Sequence, residues 1–299
     1  MASLRTKFFI QIVKMLSLKN EGKMIVEEKR KNLEKNVFLF HKPLKTQIET
    51  LNVNHISAEW LSRKKQPQDR VIIYLHGGYY LSGSVKTHRS IAARIGKHSN
   101  SPVLLLNYRL APEHKFPASL DDSVSAYDWV LEHKKIKPNK IVITGDSAGG
   151  GLTLATLIKL RDQKKVPPAG GVCLSPWIDL ALTGDSWKTK AEEDIMITKN
   201  EAIQGAEYYL GDVDRKNPLA SPLYANLEGL PPLLIQIGTS EVLLDDSTRF
   251  AEKAKKSGVK VDLELWPGMF HVFQIFGYLM PESKKALKKI GEFIKEVMT

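Results

Sequence analysis

The residues able to do chemistry stand in short segments far apart in the 299-residue chain. Gly145-Asp-Ser147-Ala-Gly149 offers a serine between glycines, directly after an apolar run and directly before a helical pattern. A sharp turn between strand and helix holds such a serine in a strained backbone conformation, and glycines flank it because side chains there would strike the strand and the helix. The turn predicts that Ser147 Oγ projects from the end of a sheet at a helix N-terminus, where negative charge is stabilised. A serine needs a base, and His271, closing Pro267-Gly-Met-Phe-His271, is the one histidine that follows it in the chain. An imidazole with an ordinary pKa near 6.5 takes the serine proton and returns it to a leaving alcohol at neutral pH. The base in turn needs a carboxylate to fix its tautomer. Glu241, Asp245 and Asp246 all follow the apolar run Leu233-Ile237. Glu241 lies nearest the end of that run and is the acid adopted here, with Asp245 as the alternative; Asp245 and Asp246 fall where a helix begins and are expected to cap it. In Tyr74-Leu-His76-Gly77-Gly78-Tyr79-Tyr80, paired glycines let backbone N–H groups turn outward toward an oxyanion. The amide of Ala148, next after the serine, is the other expected donor.

These segments need a scaffold that brings them together. From about residue 70 onward, short apolar runs alternate with helical patterns: Val71-Tyr74, Val103-Leu106, Ile141-Thr144, Gly171-Leu174, Leu233-Ile237 and Val261-Trp266. Continuous apolarity between helices predicts a mostly parallel sheet covered on both faces, an α/β class. Helices are expected near Leu120-His133, Gly149-Arg161, Asp246-Lys256 and Lys284-Val297. Residues 1–40, with Leu4, Phe8, Ile12 and Leu16 at four-residue intervals, and residues 177–223, polar and helical in pattern, stand outside the alternation. Both are read as a helical cap, leaving 41–176 and 224–299 as the core, because so long an insertion in a compact domain is usually functional.

Composition narrows the field. Net charge is +11, of which residues 1–40 supply +5, but the other lysines are spread along helices among glutamates, so a nucleic-acid partner is not expected. The single Cys173 excludes an intrachain disulfide, reads as a buried structural thiol and fits a reducing cytoplasm. The N-terminus lacks the pattern of a secretory signal, and no run reaches the eighteen or so apolar residues of a spanning helix. No metal-ligand cluster or phosphate-binding loop is present, so neither metal nor cofactor is expected.

Taken together, the motifs resemble the hormone-sensitive-lipase-like branch of the α/β-hydrolase fold. The likeness rests on His76-Gly77-Gly78, Tyr108-Arg-Leu-Ala-Pro-Glu113, Phe116-Pro117-Ala118, Gly145-Asp-Ser-Ala-Gly-Gly150, Ser175-Pro-Trp177 with Asp179-Leu180, and Gly268-Met-Phe-His271, in that family's order. It implies hydrolysis of carboxylic esters with Ser147, His271 and Glu241 as the triad, in the family's chain order of serine, acid, histidine; the polar, helical cap is expected to roof a confined pocket, which points to short- to medium-chain esters. It also implies oxyanion donors at Gly78, Tyr79 and Ala148, a pocket bordered by Tyr79 and Tyr80, and a homodimer through the edge of the last strand. Glu113 is expected to order the serine turn. Two departures stand out: Tyr79 occupies the place of the family's third glycine, and Glu241 the place of its usual aspartate. A tyrosine retains an N–H and serves as donor if the backbone there needs no positive φ. The rival readings are a receptor on the same scaffold, against which the presence of His271 argues, and a lipase docked on lipid through residues 4–16.

Overall fold

The computed structural model describes residues 3–16, 22–35, 43 and 45–299. Among the described residues, a single sheet runs in the order β1 (Thr46–Val53), β2 (Ile56–Arg63), β4 (Val103–Leu106), β3 (Val71–Leu75), β5 (Ile141–Asp146), β6 (Gly170–Leu174), β7 (Leu233–Gly238) and β8 (Val261–Trp266). β1 and β2 pair antiparallel, as do β2 and β4, and every pairing from β4 to β8 is parallel. All six expected runs are therefore strands of one mostly parallel sheet.

Alternate residues of a strand face opposite sides, and here each side is buried. On β3, Val71, Ile73 and Leu75 join one apolar cluster while Ile72 and Tyr74 join another. The first is closed by Leu120 of α4 (Ala118–Trp129), Leu154 and Leu157 of α5 (Ala148–Asp162), and Phe250 of α8 (Leu244–Lys256). The second is closed by Ile91 and Ile95 of α3 (Val85–Ser99) and by Leu287, Ile290 and Phe293 of α9 (Pro281–Val297). Burial on both faces is why the central strands are continuously apolar. Cys173 is fully buried on β6.

Outside this layer stand α1 (Leu4–Leu16), α2 (Val26–Lys35), α6 (Ser186–Thr189) and α7 (Lys199–Leu210). The stretch 177–223 is less helical than its pattern suggests, and it hides Trp177, Ile178, Trp187 and Tyr209. On α1 the residues seen to pack are Phe9, Ile10 and Val13, against the cluster of Trp266, Phe270 and Phe273. Phe8, from the expected stripe, is 71% exposed; the side chains of Leu4, Ile12 and Leu16 lie outside the described residues, as do residues 17–21 and 36–40 of the expected N-terminal cap segment. Among the described residues, no helix is long and apolar enough to cross a membrane.

Candidate active site

Strand order reverses between β3 and β5, with β4 leaving to one side and β6 to the other. Loops at the carboxyl ends of strands beside such a reversal open a crevice. The loops carrying Gly78 and Ser147 leave β3 and β5 at this point, and those carrying Glu241 and His271 leave β7 and β8 on the same edge.

Ser147 links β5 to α5 at φ 53°, ψ −122°. A non-glycine residue there carries strain of about 1–3 kcal/mol and persists only where its surroundings hold it. Its N–H donates to Leu174 O at 2.8 Å, and its carbonyl accepts from Trp177 N at 3.0 Å and Gly151 N at 3.1 Å. Close approach explains the flanking glycine: a Cβ on Gly149 would stand 2.1 Å from Leu75 O. Beside the serine, buried Asp146 accepts from the Tyr74 hydroxyl at 2.7 Å and from Gly77 N–H at 3.2 Å, and pairs with His88 at 3.3 Å. Burial pushes this carboxyl up, but the His88 and Tyr74 contacts together outweigh it and leave it below its ordinary value. The carboxylate thus pins the start of the glycine loop to the serine turn. His76, stacked between Tyr108 and His88, is driven by burial to a pKa of about 3 and is neutral.

In the glycine loop, φ is 122° at Gly78, 60° at Tyr79 and 62° at Tyr80. Leu81 N and Ser82 N both donate to Gly78 O at 3.0 Å, closing the turn. Among the described residues the amides of Gly78, Tyr79 and Ala148 donate to no acceptor. The expectation that Tyr79 would need no positive φ is corrected: the tyrosine adopts the left-handed region itself, with its ring held by Trp177 and Glu201, so the N–H is presented without a glycine.

His271 and Glu241 meet. His271 Nδ1 lies 2.8 Å from Glu241 Oε2, and the acid is wholly buried. The other carboxylate oxygen accepts from Gly238 N–H at 2.6 Å and from the Ser175 hydroxyl at 2.8 Å, while Ser175 Oγ accepts from Val272 N–H at 3.1 Å. Burial lowers the basicity of His271, yet the hydrogen bond and charge of Glu241 outweigh it, so its pKa stands above 6.5. Burial likewise raises Glu241 above its ordinary value despite the imidazole. Ser175 joins the acid to the histidine loop and was not singled out in the sequence; its place at the end of β6, in Ser175-Pro-Trp177, was the available signal.

Ser147, His271, Gly78 and Tyr79 border one cavity of about 340 Å³. Leu33 of α2, Met196, Ile197, Val272 and Ile275 give it apolar walls. Sequence patterns do not mark these walls, because Leu33, Met196, Ile197 and Ile275 come from segments without a motif and Val272 stands one place beyond the histidine motif.

Several expectations are corrected. Tyr80 does not border the cavity: its ring stacks on Tyr209 with centroids 3.8 Å apart and is buried. The backbone at positive φ sends adjacent tyrosines in different directions. Glu113 does not reach the serine turn; it takes both ends of the Arg30 guanidinium at 2.8 and 2.7 Å, which holds its carboxyl at about 2. Arg30 also donates to Leu81 O and Ala111 O, so this fork docks α2 beside the glycine loop. Asp245 and Asp246 do not cap α8. They sit inside its first turn and face the 177–186 stretch, where Asp245 accepts from Ser186 N–H at 2.8 Å and Asp246 from the amides of Ile178 and Asp179 at 2.8 and 2.9 Å. Burial, reinforced by Asp179, pushes Asp246 up to about 8.

The sequence profile of the α/β-hydrolase fold family matches residues 72–275. The chain belongs to the α/β-hydrolase family. Within it, the hydrolase falls in the hormone-sensitive-lipase-like branch. It is 41% identical to an acetyl-hydrolase of Streptomyces hygroscopicus over 83% of this chain and 82% of that protein. It is 36% identical to an esterase of Acinetobacter venetianus over 85% of this chain and 84% of that protein. A crystal structure of an esterase from the bacterial hormone-sensitive lipase family superposes with a TM-score of 0.95 at 41% identity, covering 100% of both chains. The hydrolase is accordingly an enzyme of the carboxylesterase class of serine hydrolases. Among its described residues, no group of three or more His, Cys, Asp or Glu stands where it could hold a metal ion.

Proposed function

We propose that this enzyme hydrolyses carboxylic esters of short to medium acyl chain through an acyl-enzyme intermediate. Ser147 Oγ gives its proton to His271 Nε2 and attacks the ester carbonyl carbon; the carbonyl π electrons move to oxygen. The amides of Gly78, Tyr79 and Ala148 receive that oxyanion, each donor contributing about 2.7–4 kcal/mol to the transition state. As the tetrahedral adduct collapses, imidazolium returns the proton to the departing alcohol. Water, activated by the same imidazole, then releases the acid and restores Ser147. Glu241 stays ionised throughout and stabilises the imidazolium.

The observation carrying this reading is the pairing of His271 with Glu241 at 2.8 Å on the same cavity that Ser147 borders. With Nδ1 bonded to the acid, Nε2 is the nitrogen left for the serine. Asp245, occupied with Ser186, has no such partner. The cavity volume of about 340 Å³ lies near the low end of small-molecule sites, which favours short acyl groups, as the name of the acetyl-hydrolase relative suggests for that protein. The described part of residues 1–40 and residues 177–223 act as the cap: Lys29 and Leu33 from the first, and Met196 and Ile197 from the second, border the cavity.

A panel of p-nitrophenyl esters from acetate to laurate, run beside Ser147→Ala, tests this. Turnover is expected to fall as the acyl chain lengthens and to vanish in the variant. Rates rising toward laurate would overturn the chain-length reading, and serine-independent turnover the mechanism.

A further inference from the structure

Tyr79 and Tyr80 are neighbours at φ 60° and 62°, a conformation costing an L-residue about 1–2 kcal/mol each. One face of α7 supplies the contacts that hold them there. Glu201, Gly205 and Tyr209 recur at four-residue spacing and so share that face. Glu201 accepts from the Tyr79 hydroxyl at 3.3 Å. Gly205 approaches so closely that a Cβ on it would stand 3.0 Å from Tyr79 Cδ1 and 3.2 Å from Tyr79 Cβ. Tyr209 stacks on Tyr80 with planes 6° from parallel. Lys29 of α2 closes the arrangement, its Nζ 2.7 Å from Glu201 and 4.6 Å from the Tyr79 ring centroid. Trp177 packs edge-on against the same ring at 5.7 Å.

The Tyr79 ring is thus gripped by α7 and α2, while its own N–H belongs to the loop beside Ser147. A glycine in this position would have no side chain through which a helix could act on the amide. We propose that Tyr79 is a strut through which α7 sets the position of the Tyr79 amide, so that the seating of the cap helix and the competence of the oxyanion site are one event. Gly205 and Glu201 are positioning residues in this scheme and act on the ester only through Tyr79. The inference rests on the reading of the Tyr79 amide as an oxyanion donor.

The test is a double-mutant cycle. Gly205→Ala forces the Tyr79 ring back by a few tenths of an ångström. Since a 1 Å misplacement can cost about 10²-fold in rate, a loss of about tenfold in kcat with KM within about twofold is expected. A trifluoromethyl ketone, whose adduct with Ser147 carries the oxyanion, should bind weaker by the same factor. In a Tyr79→Gly background, the same Gly205→Ala change should leave kcat and ketone affinity unaltered. Equal losses in both backgrounds, a change in KM alone, or no loss in either overturns the proposal. Thermal melting of every variant precedes the kinetics; if Gly205→Ala does not fold, Glu201→Gln is carried through the same two backgrounds and read the same way. Ser147→Ala, assayed first, separates a failure of this inference from a failure of the hydrolase reading.

Discussion

Replacing Glu241 by glutamine alters the charge of the acid while keeping its shape, and the contacts around it dictate which way the amide must lie. Oε1 faces the Gly238 N–H at 2.6 Å, a backbone donor that can only be met by an oxygen, whereas Oε2 faces the imidazole. Placing the glutamine NH2 toward Gly238 would leave a buried donor unsatisfied, at a cost of about 1–3 kcal/mol. The NH2 therefore turns to His271 and makes Nδ1 an acceptor. Nε2 then carries the proton, the tautomer that cannot deprotonate Ser147, and a loss of about 10⁴-fold in kcat follows, the size expected when a triad acid is neutralised in this way. The pH profile should move as well. In the proposed mechanism neutral imidazole is the active form, and because Glu241 raises its pKa above the ordinary 6.5, activity should be lost as pH falls through a value above 6.5. Without the carboxylate, burial, which favours the neutral ring, is opposed only by the weaker pull of the Asp194 and Asp146 charges, and the acid limb of the residual activity shifts to lower pH. Hydrolysis of p-nitrophenyl acetate across pH 5 to 9 reads both effects. A Glu241→Gln enzyme within tenfold of the original rate, or with an unmoved acid limb, would refute the reasoning.

Further outcomes follow from the same contacts. Ser175→Ala removes one donor to Glu241 and orphans the buried Val272 N–H, so chemical denaturation should show a loss of about 1–3 kcal/mol together with a lower kcat. Gly149→Ala drives a methyl group to within 2.1 Å of Leu75 O at the junction of strand, serine turn and helix; the variant should melt far below the original or fail to fold, and a normal melting temperature would contradict the turn geometry. Arg30→Ala frees α2 from Glu113, Leu81 and Ala111, and KM should rise more than kcat falls. The Glu113 carboxyl is depressed from 4.5 to about 2, so its stabilising share is full above pH 4.5 and lost as pH falls toward 2. The stability gap between the original and Arg30→Ala, measured by thermal melting, should narrow over that interval.

The central strands were legible because both of their faces are covered, which leaves few polar positions to blur the run; β8, at the sheet edge, keeps Asp262 and Glu264 between its apolar residues. The β1–β2 hairpin was not, since β1 is an edge strand whose interior positions are largely exposed and polar. α3 was passed over too: its sequence, VKTHRSIAARIGKHS, mixes polar and apolar residues, and several of the polar ones are buried. Within the site, Ser147 and His271 were marked by residue type and local turn chemistry. Glu113 was misread because its partner, Arg30, lies 83 residues away in the chain. The choice between Tyr79 and Tyr80 as a wall depends on two positive φ angles that a tyrosine pair does not advertise. The apolar wall from α2 acts only through tertiary neighbours, which no local pattern reveals, and the motif Ser175-Pro-Trp177 marks the place of Ser175 but not its bonds to Glu241 and Val272.

The central claim is that Ser147 is made nucleophilic by His271. Diethyl p-nitrophenyl phosphate tests it most directly, because the reagent phosphorylates a serine whose proton a base removes far faster than an ordinary hydroxyl. Mass spectrometry of the treated protein should find a single diethylphosphoryl group on the peptide containing Ser147, with labelling nearly abolished in His271→Ala. A label on another residue, or labelling of Ser147 at an undiminished rate without the histidine, would contradict the account.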